Sequence, residues 1–211
     1  MSLTEPTRMP EMMSHDRGAL DALLDTTIVG HVAFVAEDGG PAVLPTAVVR
    51  WGERLVVHGS TGSRWMRLAS GARAVISITA VDGVIVARSA FESSLSYRSA
   101  VFFGSFEMLT GTDKNDALDA ITHRLIPGRL AEVRASTPKE LAATMVLAMP
   151  ITQWSLRVSD GWSEDDEHDT AGPAWAGQVT FGERPVVIHP ALDLRADIST
   201  PPSVAGARAA H

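Results

Sequence analysis

The residues best suited to chemistry form one unbroken run, His58-Gly59-Ser60-Thr61-Gly62-Ser63-Arg64, in which hydroxyls, glycines and a guanidinium meet at a strand-to-helix junction. The strand is read from the β-branched, apolar residues 54–57. The helix is read from Trp65-Met66-Arg67-Leu68-Ala69, whose apolar residues have helical spacing and which stops at Gly71. Free N–H groups and the positive dipole at a helix start attract an anion, and Ser, Thr and Arg side chains add directional donors. That chemistry is phosphate binding, and it implies a phosphorylated small molecule as the ligand. Taken alone, the same residues are read equally well as a helix capped by Ser60 or Thr61, with Arg64 pointing into water.

The elements around this run are mostly strands. Residues 1–15 read as a mobile arm, and 16–24 as a short helix with Leu20, Leu23 and Leu24 on one side. Strands follow over 29–36, 42–50 and 54–58, with a turn at Glu37-Asp38-Gly39-Gly40. Residues 74–81 and 84–89 read as a hairpin around Asp82-Gly83, and 97–109 as a strand bent at Gly104. A helix is predicted over 113–125 with Thr112 or Asp113 as its cap, and a second over 138–144. The last long strand, 145–158, contains Pro150, which demands an edge or a bulge. Residues 164–169 form an acidic run containing His168 that lacks metal-ligand spacing and reads as a solvated loop, so no metal site is expected. The stretch 199–211 reads as disordered. Short antiparallel strands with few helices favour a closed or partly split barrel over a doubly wound sheet. The domain is placed at 16–182, with a C-terminal extension at 183–211.

Composition narrows the function classes. The 211 residues are 45% hydrophobic, enough for a full core, and carry 18 Lys and Arg against 25 Asp and Glu. The net charge of −7 leaves no broad basic surface for nucleic acid or anionic lipid. The chain has no cysteine, which removes disulfides, thiolate metal sites and thiol nucleophiles. No secretory signal is visible in the first residues, and the longest uncharged run, 141–156, is roughly 16 residues and too polar to span a bilayer. A cytoplasmic protein with small-molecule or protein partners is the expectation.

Several segments together resemble the flavin-nucleotide-binding branch of the pyridoxamine 5′-phosphate oxidase-like split-barrel superfamily, which also contains the nitroimidazole-resistance reductases. They are Gly30-His31-Val32-Ala33-Phe34, Pro45-Thr46, Val57-His58-Gly59-Ser60 with Gly62-Ser63-Arg64, and the run from Thr79 through Asp82-Gly83 to Arg88-Ser89. Tyr97-Arg98-Ser99, Pro127-Gly128-Arg129, Lys139-Glu140-Leu141 and Trp175-Ala176-Gly177 complete the set. The resemblance implies a six-stranded antiparallel split β-barrel, mainly β with a few helices, that forms a homodimer with FMN in clefts at the subunit interface. It places the FMN phosphate at residues 58–64, and the flavin ring against Pro45, Thr46, Ala47, Val48 and Ile78-Thr79.

On that basis Arg64 offers phosphate a bidentate fork, and Ser60 and Ser63 offer hydroxyls. His58 either lines the cleft or is a structural strand histidine, and His31 reads as packing. At least one of Arg88, Tyr97, Arg98 and Ser99 is expected to cross the interface to the flavin, although Arg88 and Arg98 equally suit structural ion pairs. Trp175 packs over the flavin or anchors the C-terminal segment. The chain departs from the resemblance at residues 91–96, Phe-Glu-Ser-Ser-Leu-Ser, where relatives carry His and Asn, and at Leu156, where they tend to carry Lys. The implied activity is an FMN-dependent oxidoreductase using NADH or NADPH on a small molecule. The alternatives are a flavin storage or sensing module, or a split barrel holding heme or the deazaflavin F420.

Overall fold

A computed structural model describes residues 12–182, 187–190, 194 and 197–206. The remaining residues of the expected arm and C-terminal extension lie outside this description. The described chain opens with strand β1 (Met13–Ser14), residues that the sequence assigns to the arm, followed by helix α1 (Arg17–Thr26). Asp16 caps α1 by accepting from the Gly18 amide at 2.8 Å, and Leu20, Leu23 and Leu24 enter the core. Strands β2 (Val29–Val35), β3 (Pro41–Ala47), β4 (Val49–Trp51) and β5 (Arg54–Ser60) lead to helix α2 (Arg64–Ala69). Two long strands follow, β6 (Arg73–Val86) and β7 (Ser94–Ser105), then short β8 (Glu107–Met108) and helix α3 (Gly111–Leu125). Helix α4 (Pro138–Ala143) precedes β9 (Thr144–Pro150) and β10 (Trp154–Ser159). The chain ends with the helical turn α5 (Glu167–Thr170), β11 (Gly177–Thr180) and the turn α6 (Pro202–Ala205).

Among the described residues these strands make two antiparallel sheets. Sheet A runs β1-β10-β7-β6-β2-β3 with β11 also on β6, and sheet B runs β4-β5-β9-β8. Three stretches pass from one sheet to the other: β3 into β4 at Val48, β7 into β8 at Phe106, and β9 into β10 at 151–153. With each such stretch counted as one length of strand and the short additions β1 and β11 set aside, six lengths build the split barrel. The core between the sheets holds Val32, Leu55, Val57, Ile76, Ile78, Phe102, Leu147, Met149 and Leu156 together with the α1 leucines. A second cluster lies on the other side of sheet B, where Ala117 and Ile121 of α3 cover Val49, Val56, Val146 and Ala148.

Several expectations are corrected. The Asp82-Gly83 hairpin is a bulge within one continuous β6, which pairs with β7 on both sides of it. Gly83 is needed there because β11 crosses it: a Cβ would sit 2.3 Å from the Val179 carbonyl oxygen. The strand expected over 145–158 is two strands in two sheets. Helix α3 starts at Gly111, after Thr110, rather than at Thr112 or Asp113. The acidic run is not simply solvated, because the Asp165 side chain is 2% exposed and pairs with Arg88 at 2.9 Å. Burial raises its carboxyl pKa, but bonds from the Arg88 amide, the Ser163 hydroxyl and the Arg88 guanidinium outweigh that and hold it below the ordinary value. Leu156, where the chain departs from the resemblance, is fully buried opposite Ala100 and packs in the core.

Candidate functional site

The candidate residues fall into two groups. The first lies on neighbouring strands of sheet A, where Thr46 is opposite Gly30 and Gly30 is opposite Ile78. Side chains alternate along a strand, so Thr46 shares the inner face with Gly30 and Ile78, whereas Pro45, Ala47 and Thr79 lie on the outer face. Val48 is buried at the bend into sheet B, and its amide donates to the Ile28 carbonyl at 2.8 Å. Side chains fill the space over Gly30: a Cβ there would stand 2.7 Å from Val48 Cγ2 and 3.2 Å from Ile78 Cγ1. Beyond Ile78, strand β6 loses its neighbour. Strand β2 covers β6 over 75–78 and β11 covers it over 83–86, so residues 79–81 face a gap between the ends of β2 and β11. Arg98, on β7 opposite Ala80, forks onto Asp82 through Nε at 2.8 Å and Nη2 at 2.7 Å. Arg88 and Arg98 therefore both form ion pairs within the chain.

The second group surrounds the strand-to-helix turn. His58 is opposite Val146 and half-buried, and desolvation pushes its pKa below the ordinary value, which favours the neutral imidazole. The amides of the turn are already committed. Thr61 donates to the Ala143 carbonyl at 2.9 Å, Gly62 to Ser60 Oγ at 3.1 Å, and Ser63 to the Ser60 carbonyl at 2.9 Å. Ser63 is the N-cap of α2, and its hydroxyl makes no capping bond. Arg64 reaches back 27 residues to grip the Glu37 carboxylate, and the guanidinium holds that carboxyl below its usual range. Arg67, which the sequence reading did not single out, folds over the turn and donates to the Thr61 carbonyl at 3.1 Å. Its place in the first α2 turns, three residues after Arg64, was the available signal.

Beside this turn opens a cavity of about 700 Å³. Phe34, Ala36, Ala42, Trp65 and Leu68 form its apolar lining, with Glu37, Asp38 and Arg64 as the polar members. Phe34 and Trp65 stand 6.3 Å apart between ring centroids and are tilted by 33°. Pairing places Val29 by the β6 gap and Val35 near the cavity, about 20 Å apart at the usual strand rise. Trp175 belongs to neither group; it is exposed and stacks on Gly177, at the Val86 end of β6. Residues 87–93 form a loop tied by Ser89 and Ser93, with Phe91 exposed. Among the described residues no group of three or more His, Asp or Glu is arranged to hold a metal ion, and no helix is long and apolar enough to cross a membrane.

Two sheets joined by three crossing stretches, with polar groups at the bend and at the strand-to-helix turn, define an antiparallel split barrel. Residues 16–158 match the profile described as pyridoxamine 5′-phosphate oxidase, and the chain belongs to that family. A structure of the FAD and heme binding protein from Mycobacterium smegmatis is 48% identical, covers 93% of this chain and 97% of its own, and superposes with a TM-score of 0.89. The flavocytochrome Anf3 from Azotobacter vinelandii is 29% identical over 97% of this chain and 96% of its own, with a TM-score of 0.90. A putative 5-nitroimidazole antibiotic resistance protein from Bacteroides thetaiotaomicron, 16% identical over 69% of this chain and 86% of its own, shares the fold at a TM-score of 0.56. No curated protein sequence matches at a significant level.

Proposed function

We propose that this chain is a flavin-dependent oxidoreductase that also carries a heme, taking electrons from a nicotinamide donor. The observation that carries this reading is the 48% identity, over 93% of the chain, with a protein described as binding FAD and heme. When bound, a flavin supplies two-electron chemistry and a heme one-electron chemistry, while the protein positions and tunes both. The residues present fit a flavin. The side of β6 left uncovered at 79–81 supplies main-chain groups for the polar edge of a ring. Thr46 and Ala47 would border that ring, and Ser63, Arg64 and Arg67 would hold phosphate. FMN, the expectation from the sequence, and FAD share these requirements.

A heme iron takes a neutral imidazole. His58, whose neutral form burial favours, and His31, exposed on the outer face of sheet A, are the imidazoles on described strands that would offer one. The working assembly is a homodimer, because a second copy over that face would cover the exposed valines of β2, β3 and β6.

Absorption spectroscopy of the purified protein tests the reading. The expected spectrum combines the paired bands of oxidised flavin with a Soret band, and the flavin bands bleach under anaerobic NADH or NADPH. A colourless protein that ignores added FMN, FAD and hemin sinks the proposal. Flavin that binds but bleaches with neither donor reduces it to a storage or sensing module. His58→Ala and His31→Ala identify the iron ligand by which of them shifts the Soret band.

A further inference from the structure

We propose that the cavity between the β2–β3 turn and α2 seats the adenosine half of a flavin dinucleotide, which makes the chain selective for FAD over FMN. This rests on the flavin reading above and adds a place and a chemistry for the part of the cofactor that FMN lacks. The volume, about 700 Å³, is that of a small-molecule site. Its lining sets the partly buried Trp65 ring, backed by the buried Phe34, beside Leu68, Ala36 and Ala42, and the Trp65 ring is a surface on which a purine stacks without a hydrogen-bond code.

The charges decide which end of a dinucleotide enters. Glu37 and Asp38 bring two carboxylates to the cavity. These accept from sugar hydroxyls or an exocyclic amino group and repel phosphate, so the occupant is an uncharged nucleoside. Asp38 Oδ1 already accepts from the Gly40 amide at 3.0 Å, which steadies the turn and leaves its second oxygen for a ligand. Phosphates belong at the lip that Arg64 lines; Arg67 lies one turn further along α2, outside the lining, with its guanidinium on the Thr61 carbonyl. The Arg64–Glu37 pair is exposed on both sides, 70% and 55%, so solvent screens it and its partners exchange readily. A diphosphate arriving at the lip takes Arg64 and frees Glu37 for the sugar. One solvent-exposed ion pair thus stands in, within the free protein, for two contacts to the dinucleotide.

Titration of the full-length protein, stripped of flavin, with FAD and with FMN tests the inference. The wild type is expected to bind FAD at least about tenfold more tightly than FMN, the scale of one base stacked on an aromatic side chain. Ala42→Phe fills the cavity without removing a core side chain, and Trp65→Ala removes the stacking surface. Each should bring FAD to the FMN affinity while leaving FMN within about twofold. If Trp65→Ala does not fold, Ala42→Phe alone carries the test. Equal binding of the two flavins by the wild type, or an FAD preference that survives Ala42→Phe, overturns the adenosine site and leaves the flavin reading standing. A wild type that binds neither flavin overturns both.

Discussion

The outer faces of the two sheets are both apolar, yet the chain treats them differently. Sheet B carries Val49, Val56, Val146 and Ala148 on its outer side, and α3 lays Ala117 and Ile121 over them until all are buried. Sheet A carries Val29, Val35, Val43 and Val81 on its outer side, and these remain 46% to 64% exposed. Alternation in β2 and β3 is as regular as in any half-buried strand, so sequence pattern alone does not distinguish them. The difference lies in where the helices go: α3 is long enough to cover one sheet, and α1 is spent in the core. A covered face serves stability, whereas a bare apolar face leaves area that the proposed homodimer would cover.

The largest test of this contrast is truncation on the covered side. Ile121→Ala should cost about 2–5 kcal/mol of unfolding free energy, measured by urea denaturation, because it leaves a cavity between α3 and sheet B. The matching change on the bare side, Val43→Lys, should move the stability of the isolated chain by no more than about 1 kcal/mol. It should instead shift sedimentation from dimer to monomer. If Val43→Lys unfolds the protein, the two faces are not different in kind. A capping change should be smaller than the core truncation. Thr137 accepts from the Glu140 amide while the Glu140 side chain accepts from the Thr137 amide, and Thr137→Ala should cost about 1 kcal/mol through loss of this capping box.

The smallest effect concerns protons. Because burial lowers the folded-state pKa of His58 from 6.5, the unfolded chain takes up the proton first. The contribution of the neutral imidazole is full above that value and is lost as pH falls from it through the folded pKa. Stability measured between pH 8 and pH 5 should fall less steeply in His58→Gln than in the wild type.

Much of this architecture was legible in the residues. Strand positions follow from β-branched runs between Gly and Asp turns, and α1 and α3 from their leucine and isoleucine spacing. What escaped was set at long range. Asp82-Gly83 is a favourable hairpin pair by local chemistry, but the β11 backbone lies over Gly83 and β6 continues. Asp165 looks like one more acid in a charged run until Arg88, 77 residues earlier, takes it. The same holds at the candidate site. The turn at 58–64 reads as an anion cradle, but Ala143 and Ser60 occupy its amides, and the Arg64 partner arrives from the β2–β3 turn. Local spacing located the polar residues, while their available bonding capacity depended on contacts that spacing does not encode.

The three places where the chain changes sheets have a consequence for opening motions. Val48, Phe106 and Ile151 stand at these crossings, and all are buried. A fluctuation that frees one sheet must pull a covalently continuous strand out of the other. Amide hydrogens in β5 and β9 are therefore expected to exchange with deuterium at the same opening free energy as those in β6 and β7, as a single cooperative unit. The β1 and β11 additions, which hang on the edges and cross nowhere, should exchange first, so that a cofactor seated between β2 and β11 would meet a border able to loosen while the barrel stays shut.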